Sequence, residues 1–178
     1  MRGLSCSVVK GNHDEDVCSS DELTQFTPKA KKAITWTRRH LTDKDKAWLR
    51  ELKLTERVGG FSIVHATLDM PHKWDNVFSQ MDAALSFMYQ HTKLCFFGHT
   101  HARRAYIRDA SIRSEQFEKL TVRSDKQYLI NCGSVGQPRD GDWRAAYCLY
   151  TPELHLVELR RIEYDIGAAQ DKIRDAGL

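Results

Sequence analysis

Two histidines spaced two residues apart, His99 and His101, follow a glycine and the apolar run Leu94–Phe97. That run predicts a buried strand. In an extended segment the side chains at positions i and i+2 point to the same side, so both imidazoles should face one pocket at the C-terminal end of the strand. Sheets of α/β proteins bind ligands at that end, and imidazole is a common ligand of zinc, manganese and iron. The pair therefore points to a metal site, provided that other ligands converge on it.

Other polar residues also follow predicted strands. Asn12 and His13 come shortly after the run Ser5–Val9, which predicts that both lie on a loop behind a strand. His65 ends the predicted strand Phe61–Val64. A single histidine in such a place is more often structural, but its position at the same end of a third strand favours the metal site.

The composition is that of an ordinary globular protein. The chain has 178 residues, of which 41% are hydrophobic and 29% charged, with a net charge of +3. This length predicts one domain over residues 1–178. No run approaches the roughly 20 apolar residues of a membrane span, and the first ten residues lack a secretory signal. The basic pairs are dispersed, which argues against a nucleic-acid partner. The five cysteines have no C-x-x-C spacing, so we expect reduced thiols and a cytoplasmic location.

Helices and strands must alternate in the first part of the chain to position these residues. After a polar loop at Asp16–Asp21, Pro28 begins a predicted helix that ends near Leu41. Thr42 and Asp45 form a capping box that begins a second helix, and this pair is expected to cover the sheet or the site. The stretch Trp74–Tyr89 predicts a third helix. Its apolar residues at helical spacing are expected to pack on the sheet: Trp74, Val77, Phe78, Met81, Leu85 and Met88.

From Ala105 onward the pattern is typical of β-strands at hairpin distances, and a short helix at Gly167–Ala176 closes the chain. The predicted strands are Ala105–Ile107, Lys119–Arg123, Tyr128–Asn131, Ala145–Tyr150 and Leu154–Tyr164. The order predicts an α/β fold in which two sheets pack together.

Four ordered motifs carry a family resemblance. They are Gly11-Asn12-His13-Asp14, the strand-end His65, Gly98-His99-Thr100-His101, and the segment 131–142 with its Gly-Ser-Val-Gly-Gln-Pro-Arg. The series resembles the calcineurin-like metallophosphoesterases, particularly small bacterial members. The resemblance implies a metallophosphoesterase-type two-sheet β-sandwich flanked by helices. It also implies hydrolysis of a phosphomonoester, phosphodiester or nucleotide-like substrate by a metal-activated hydroxide.

The resemblance also implies roles for single residues. Asn12, His65 and His99 would ligate one divalent metal ion and His101 would ligate a second, the ions being manganese, iron, zinc, nickel or cobalt. His13 would lie beside the metals and would stabilise the transition state or protonate the leaving alkoxide.

Three further residues have two interpretations each. Asp14 is expected either to orient a neighbouring imidazole and fix its loop, or to form an Asx turn. Gly133 would let bare N–H groups approach an anion, and Arg139 would bind a substrate phosphate. The alternative is a structural turn in which Arg139 pairs with Asp140 or Asp142.

The sequence departs from the family at its start. The family holds its first metal with an Asp-x-His and shares the aspartate of a Gly-Asp between both metals, each upstream of the Gly-Asn-His. Only ten residues precede Gly11, and none of them is Asp, Glu or His. We therefore expect that an N-terminal strand–helix–strand is missing and that Met1 is internal to a longer chain, which the intact mass of the native protein would reveal. The remaining ligands are neutral, so one bound ion or none is expected.

Two functions from different classes follow. The first is metal-dependent hydrolysis of a phosphoester small molecule or a phosphorylated substrate. The alternative is a catalytically impaired fold that serves as a protein-interaction module, which the missing acidic motifs favour. The absent strands would also leave an open sheet edge, which predicts self-association.

Overall fold

The computed structural model describes residues 3–178, which form five helices and nine strands. The helices are α1 (Asn12–Cys18), α2 (Pro28–His40), α3 (Asp43–Glu51), α4 (Gln80–Tyr89) and α5 (Ile166–Asp175). The strands are β1 (Thr55–Val58), β2 (Phe61–Val64), β3 (Leu94–Phe97), β4 (Arg104–Arg108), β5 (Ile112–Glu115), β6 (Lys119–Thr121), β7 (Gln127–Asn131), β8 (Ala145–Thr151) and β9 (Leu156–Ile162).

Three parallel strands at the centre of the larger sheet determine where the site lies. The larger sheet has six strands in the order β1-β2-β3-β7-β4-β5, and the smaller has the order β6-β9-β8. Strands β2, β3 and β7 run parallel, with Ile63 opposite Phe96 and Phe97 opposite Asn131. Their C-terminal ends therefore share one edge of the sheet. This arrangement confirms the predicted α/β fold with two sheets and flanking helices.

The larger sheet is buried on both faces, which explains why β3 is apolar throughout. Leu94 belongs to the core between the two sheets, whereas Cys95 and Phe97 belong to a second core beneath α4. Neighbouring side chains of a strand point to opposite faces, so a strand buried on both sides has no polar position.

Helix α4 differs from its prediction. The helix begins at Gln80 rather than Trp74, because the Ser79 side chain accepts a hydrogen bond from the backbone N–H of Asp82 and starts the helix there. Its buried face consists of Ala83, Ser86 and Phe87, whose small members let the helix approach the sheet closely. The prediction that the apolar stripe forms the core was wrong for four of its residues, which are 49–75% exposed: Phe78, Met81, Leu85 and Met88.

The beginning of the chain also differs from its prediction. Ser5–Val9 is not a strand; only Val9 forms a bridge, parallel to Lys53. Asn12 and His13 are the first residues of α1 rather than loop residues, and this helix continues into the predicted loop as far as Cys18. A strand needs a hydrogen-bonded neighbour over several residues, and residues 5–8 have none in the part of the chain that the structure describes.

Strands β1 and β5 were not predicted from the sequence. Strand β1 pairs with β2 across Gly59-Gly60, a two-residue connection in which Gly59 has a φ of 55°. Such connections need a positive φ, and glycine adopts it at no steric cost. Strand β5 pairs with β4. Both strands carry charged side chains on exposed edges, which hid their periodicity.

Helices α2 and α3 form as predicted, with the Thr42–Asp45 capping box at the start of α3. They pack on α1 rather than on the sheets. Their core is a separate cluster of Val17, Leu23, Ile34 and Leu49. Asn12 and His13 are therefore carried by a small helical unit of their own.

None of the helices within residues 3–178 has the length and apolar character that crossing a membrane requires. All five cysteines are free thiols.

A buried ion pair fastens the loop after β7 to β9. Asp140 and Arg161 form a salt bridge in which the side chains are only 3% and 9% exposed, respectively. Burial by itself would raise the pKa of Asp140, but hydrogen bonds from Arg161 and from the backbone N–H of Arg103 outweigh it and hold that pKa below its usual value of 3.8. The carboxylate is therefore more stable in the folded protein than in the unfolded chain.

We expect Asp140→Asn to lower the free energy of unfolding by about 2–4 kcal/mol at pH 7, because it leaves a buried guanidinium with weaker partners. A depressed pKa stabilises the fold above the unfolded value, and this contribution is lost as the pH falls through the folded value. Urea titrations should therefore show the variant and the wild type converging in acid. Asp125→Asn, which breaks an exposed pair with Arg123, should have a much smaller effect; equal losses would contradict the assignment.

Candidate active site

Three donor atoms meet at the C-terminal edge of the larger sheet. The Oδ1 of Asn12 lies 3.0 Å from the Nε2 of His65, and that nitrogen lies 3.2 Å from the Nδ1 of His99. Donor atoms bound to one ion at about 2.1 Å lie roughly 3.0–3.4 Å apart. Both observed spacings, each of which involves Nε2 of His65, lie in the range expected for ligands of one divalent transition-metal ion.

Each of these side chains is delivered by a different element. His65 follows β2, His99 follows β3, and Asn12 opens α1. The N–H of Lys10 donates to the Lys53 carbonyl at 2.8 Å, which holds the chain before α1 against the sheet edge.

Gly11 packs tightly against the ring of His65. A Cβ on Gly11 would lie 3.0 Å from the Cε1 and Nδ1 atoms of the imidazole. The same ring also meets Trp74 in a T-shaped arrangement, with ring centroids 5.9 Å apart. A glycine and an indole thus both pack against the ring of His65.

The turn after β3 is strained. His99 and His101 have φ angles of 63° and 58°, in the left-handed region that side chains other than glycine rarely adopt. Such residues cost roughly 1–3 kcal/mol each and persist only where their surroundings fix them. The N–H of the intervening Thr100 donates to the carbonyl of Gly98 at 2.7 Å, which makes the turn tight.

Hydrogen bonds to the backbone orient two of the imidazoles. His99 bonds the backbone of Trp74 in addition to facing His65. The Nδ1 of His101 lies 2.8 Å from the carbonyl of Gln137 and 3.3 Å from the hydroxyl of Ser134. Because a carbonyl can only accept, Nδ1 carries the proton, and Nε2 of His101 is left as the nitrogen with a free lone pair.

The environment keeps His65 neutral. Burial lowers its pKa first, and the nearby His99, His101 and His13 lower it further, to about 4. Burial also lowers the pKa of His99, although the bond to Trp74 opposes this. Both rings therefore present lone pairs at neutral pH, the form that binds a metal.

The other residues proposed for the site lie around this group. His13 is largely exposed, with its Nδ1 3.9 Å from a carboxylate oxygen of Asp16. The carboxylate of Asp14 accepts a hydrogen bond from the N–H of Gly11 at 2.8 Å, so it caps α1 instead of orienting an imidazole.

The loop at 133–142 takes a form that neither interpretation foresaw. Gly133 has a φ of 80°, and a Cβ there would lie 2.8 Å from that of Ala146, so close packing on β8 requires this glycine. Its N–H donates to Asn131 and is therefore not free for an anion.

The expected pairing of Arg139 with Asp140 or Asp142 is absent from residues 3–178, because those carboxylates bind Arg161 and Arg144. The exposed guanidinium of Arg139 instead lies close enough to His99 to lower the pKa of that imidazole. Among residues 3–178 it has no acidic partner, and it lies at the edge of the site.

Sequence reasoning missed four residues that support the site: Trp74, Asn131, Ser134 and Gln137. Trp74 was expected in the core. The other three lie within a motif that resembles the family. Their contacts form where the loop after β7 meets the turn after β3, and residue spacing does not predict such contacts.

No group of three or more His, Cys, Asp or Glu side chains within residues 3–178 is arranged to hold a metal ion. The converging set is instead two imidazoles and one amide, all of them neutral. The described residues thus fit one cation, but they supply no carboxylate to offset the charge of a second.

The comparisons with known proteins agree with the motifs. The calcineurin-like phosphoesterase superfamily domain matches residues 2–153. This chain belongs to that superfamily. Membership implies, at the level of the family, metal-dependent hydrolysis of phosphoesters.

Individual relatives of this superfamily member support the assignment. An uncharacterised protein of Methanocaldococcus jannaschii is 33% identical over 177 residues, which cover 97% of this chain and 71% of that protein. The crystal structure of a metallophosphoesterase from Sphaerobacter thermophilus is 35% identical with a TM-score of 0.80, covering 96% of this chain and 71% of the other. A hypothetical protein of Pyrococcus horikoshii shares the fold at 16% identity, with a TM-score of 0.73 and coverage of 99% and 70%.

We expect Gly11→Ala to displace the His65 ring and to cost about 1–3 kcal/mol of stability, the usual cost of overpacking. The φ of Gly11 is −103°, which alanine accepts, so the effect comes from the contact rather than from the backbone. Imidazole resonances in NMR spectra should shift for His65. Gly3→Ala is the control, because no described residue beyond its chain neighbours has an atom within 4 Å of a Cβ at that position. Unchanged His65 resonances would refute the close contact.

Proposed function

We propose that this chain binds one divalent transition-metal ion through Asn12, His65 and His99 and hydrolyses a phosphoester: a phosphomonoester, a phosphodiester or a nucleotide-like compound. The observation that supports this most directly is the convergence of three donor atoms at 3.0 and 3.2 Å. A divalent cation there would act as a Lewis acid on a phosphoryl oxygen and would lower the pKa of water. We take residues 1–178 to act as one metallophosphoesterase-like domain.

The residues around the ligands have separate tasks in this proposal. Arg139 binds the non-bridging oxygens of the phosphoryl group, for which its planar fork of N–H groups is well shaped. His13 stabilises the transition state or gives a proton to the leaving oxygen. Asp14 fixes the start of α1, and Gly133 helps to form the adjoining loop.

The Nε2 of His101 has a free lone pair and could ligate a second ion. Full occupancy of two positions would need carboxylates from outside the described residues, because adjacent divalent cations repel each other. We therefore propose that manganese, iron, zinc, nickel or cobalt binds with a stoichiometry of one or less in this chain alone. The free thiols of all five cysteines favour a reducing, cytoplasmic setting.

The alternative is a member of the superfamily that acts as a protein-interaction module. Two observations favour it: the neutral ligand set and the exposed apolar residues of α4, in particular Met81 and Met88, which are 75% and 72% exposed. Retention of four histidines near one sheet edge favours the enzyme.

The first test is manganese stoichiometry together with hydrolysis of an aryl phosphomonoester and an aryl phosphodiester. We expect one ion per chain, manganese-dependent turnover, and a loss of at least about 100-fold in both binding and rate for His99→Ala. His91→Ala, an exposed histidine at the other end of β3, should leave both unchanged.

The outcomes separate the two functions. Binding of manganese without turnover would support the interaction module. Failure of the wild type to bind manganese would refute the metal site itself.

We also propose that the chain associates with a second copy through the edge of β8. The edge strands β1, β5 and β6 all carry charged side chains, whereas Ala145–Thr151 carries none. Uncharged edges favour pairing with another chain. The N–H of Ala146 is already bonded to Ser134, so pairing would involve the later part of the strand.

Light scattering at high concentration should give the mass of a dimer for the wild type. Leu149→Lys, at a position that is 46% exposed, should give a monomer, because a lysine on an edge opposes pairing. A wild-type monomer would count against this proposal.

A further inference from the structure

Asn131, the last residue of β7, is completely buried and lies between the two loops that carry and support the histidines. Its Nδ2 donates to the carbonyl of Gly98 at 2.6 Å and to the hydroxyl of Thr100 at 2.9 Å. Its Oδ1 accepts from the N–H of Gly133 at 2.9 Å. One amide thus uses both donor hydrogens and its acceptor to join two segments that are far apart in sequence.

The two hydrogen bonds from Nδ2 of Asn131 go to residues of the strained turn. Gly98 and Thr100 flank His99, and Thr100 separates it from His101, the other residue with a left-handed φ. A turn of this kind keeps its conformation only where its surroundings fix it. Thr100 is 6% exposed, and Asn131 is its buried hydrogen-bond donor.

The same amide supports the second imidazole from the other side. The bond to Gly133 anchors the beginning of the loop in which Ser134 and Gln137 bond the ring of His101. If that loop shifted, Nδ1 of His101 would lose the acceptors that orient it.

We propose that Asn131 is a positioning residue that sets the metal-binding geometry of His99 and His101 without touching either imidazole. This inference rests on the proposed metal-binding function. Among these side chains, only asparagine can make all three hydrogen bonds in this place. Ionised aspartate has no hydrogen to donate, leucine has a similar shape but no polar atoms, and glutamine is one methylene longer.

Asn131→Leu is the test variant, and Gln90→Met is its matched control. Gln90 is also a buried side-chain amide, 5% exposed, and donates to the carbonyls of Thr92 and Tyr128 near the start of β7. Each substitution removes one amide and its backbone hydrogen bonds, so both should reduce global stability. Only the first should disturb the site. Thr100→Val removes a single bond of the network and serves if Asn131→Leu does not fold.

Manganese titrated alone into each folded variant should bind at least about 10-fold more weakly to Asn131→Leu than to the wild type, as for other residues that orient ligands. Gln90→Met should stay within about twofold, and Thr100→Val should lie between the two. Manganese affinity of Asn131→Leu within twofold of the wild type would overturn the proposal. An equal loss in Gln90→Met would overturn it as well.

A metal-free measurement separates this proposal from the proposed function. Imidazole nitrogen resonances of His99 and His101, and hydrogen exchange of the Thr100 N–H, should change in Asn131→Leu and not in Gln90→Met. If the wild type binds no manganese, the proposed function fails, and these readouts still decide the role of Asn131. Unchanged resonances and exchange would overturn it.

Discussion

The close approach of three neutral donor atoms constrains the rest of this structure. The Nε2 of His65 lies within 3.2 Å of both an amide oxygen and another imidazole nitrogen, and one hydrogen cannot serve both well. The surrounding strands and helix must therefore hold these atoms in place. The parallel strands β2 and β3 bring the two rings to one edge, and the Lys10–Lys53 hydrogen bond brings α1 to the same place.

The electrostatic character of the site follows from what surrounds those atoms. The lowered pKa of His65 reflects burial and a set of neighbouring histidines, and the nearby guanidinium of Arg139 adds positive charge beside His99. At neutral pH, the guanidinium charge of Arg139 attracts a phosphate and disfavours a cation. In the proposed metal site, selectivity for a transition metal would therefore come from ligand type and geometry rather than from charge.

The parts of the fold that could be predicted are those encoded locally. A short, largely apolar run followed within two residues by a histidine marks β2 and β3. Capping residues mark α3, because such signals depend only on neighbours in sequence. Residues 5–8 resemble a strand, but no strand in the described part of the chain pairs with them. The stripe of α4 has helical spacing, yet spacing does not reveal which face meets the sheet. The contacts of Trp74 and Asn131 likewise arise only when distant loops come together.

The division of the hydrophobic core has a consequence for motion. Asn12 belongs to helices whose core is the cluster around Ile34, whereas His65 and His99 belong to the sheet. Because their cores are separate, the helical unit and the two-sheet part can unfold as distinct cooperative units. A ligand bound by residues from both would bind only the closed arrangement and would couple their opening reactions. A metal ion bound as proposed would therefore also link the helical unit to the two sheets, because its binding free energy would couple their opening reactions.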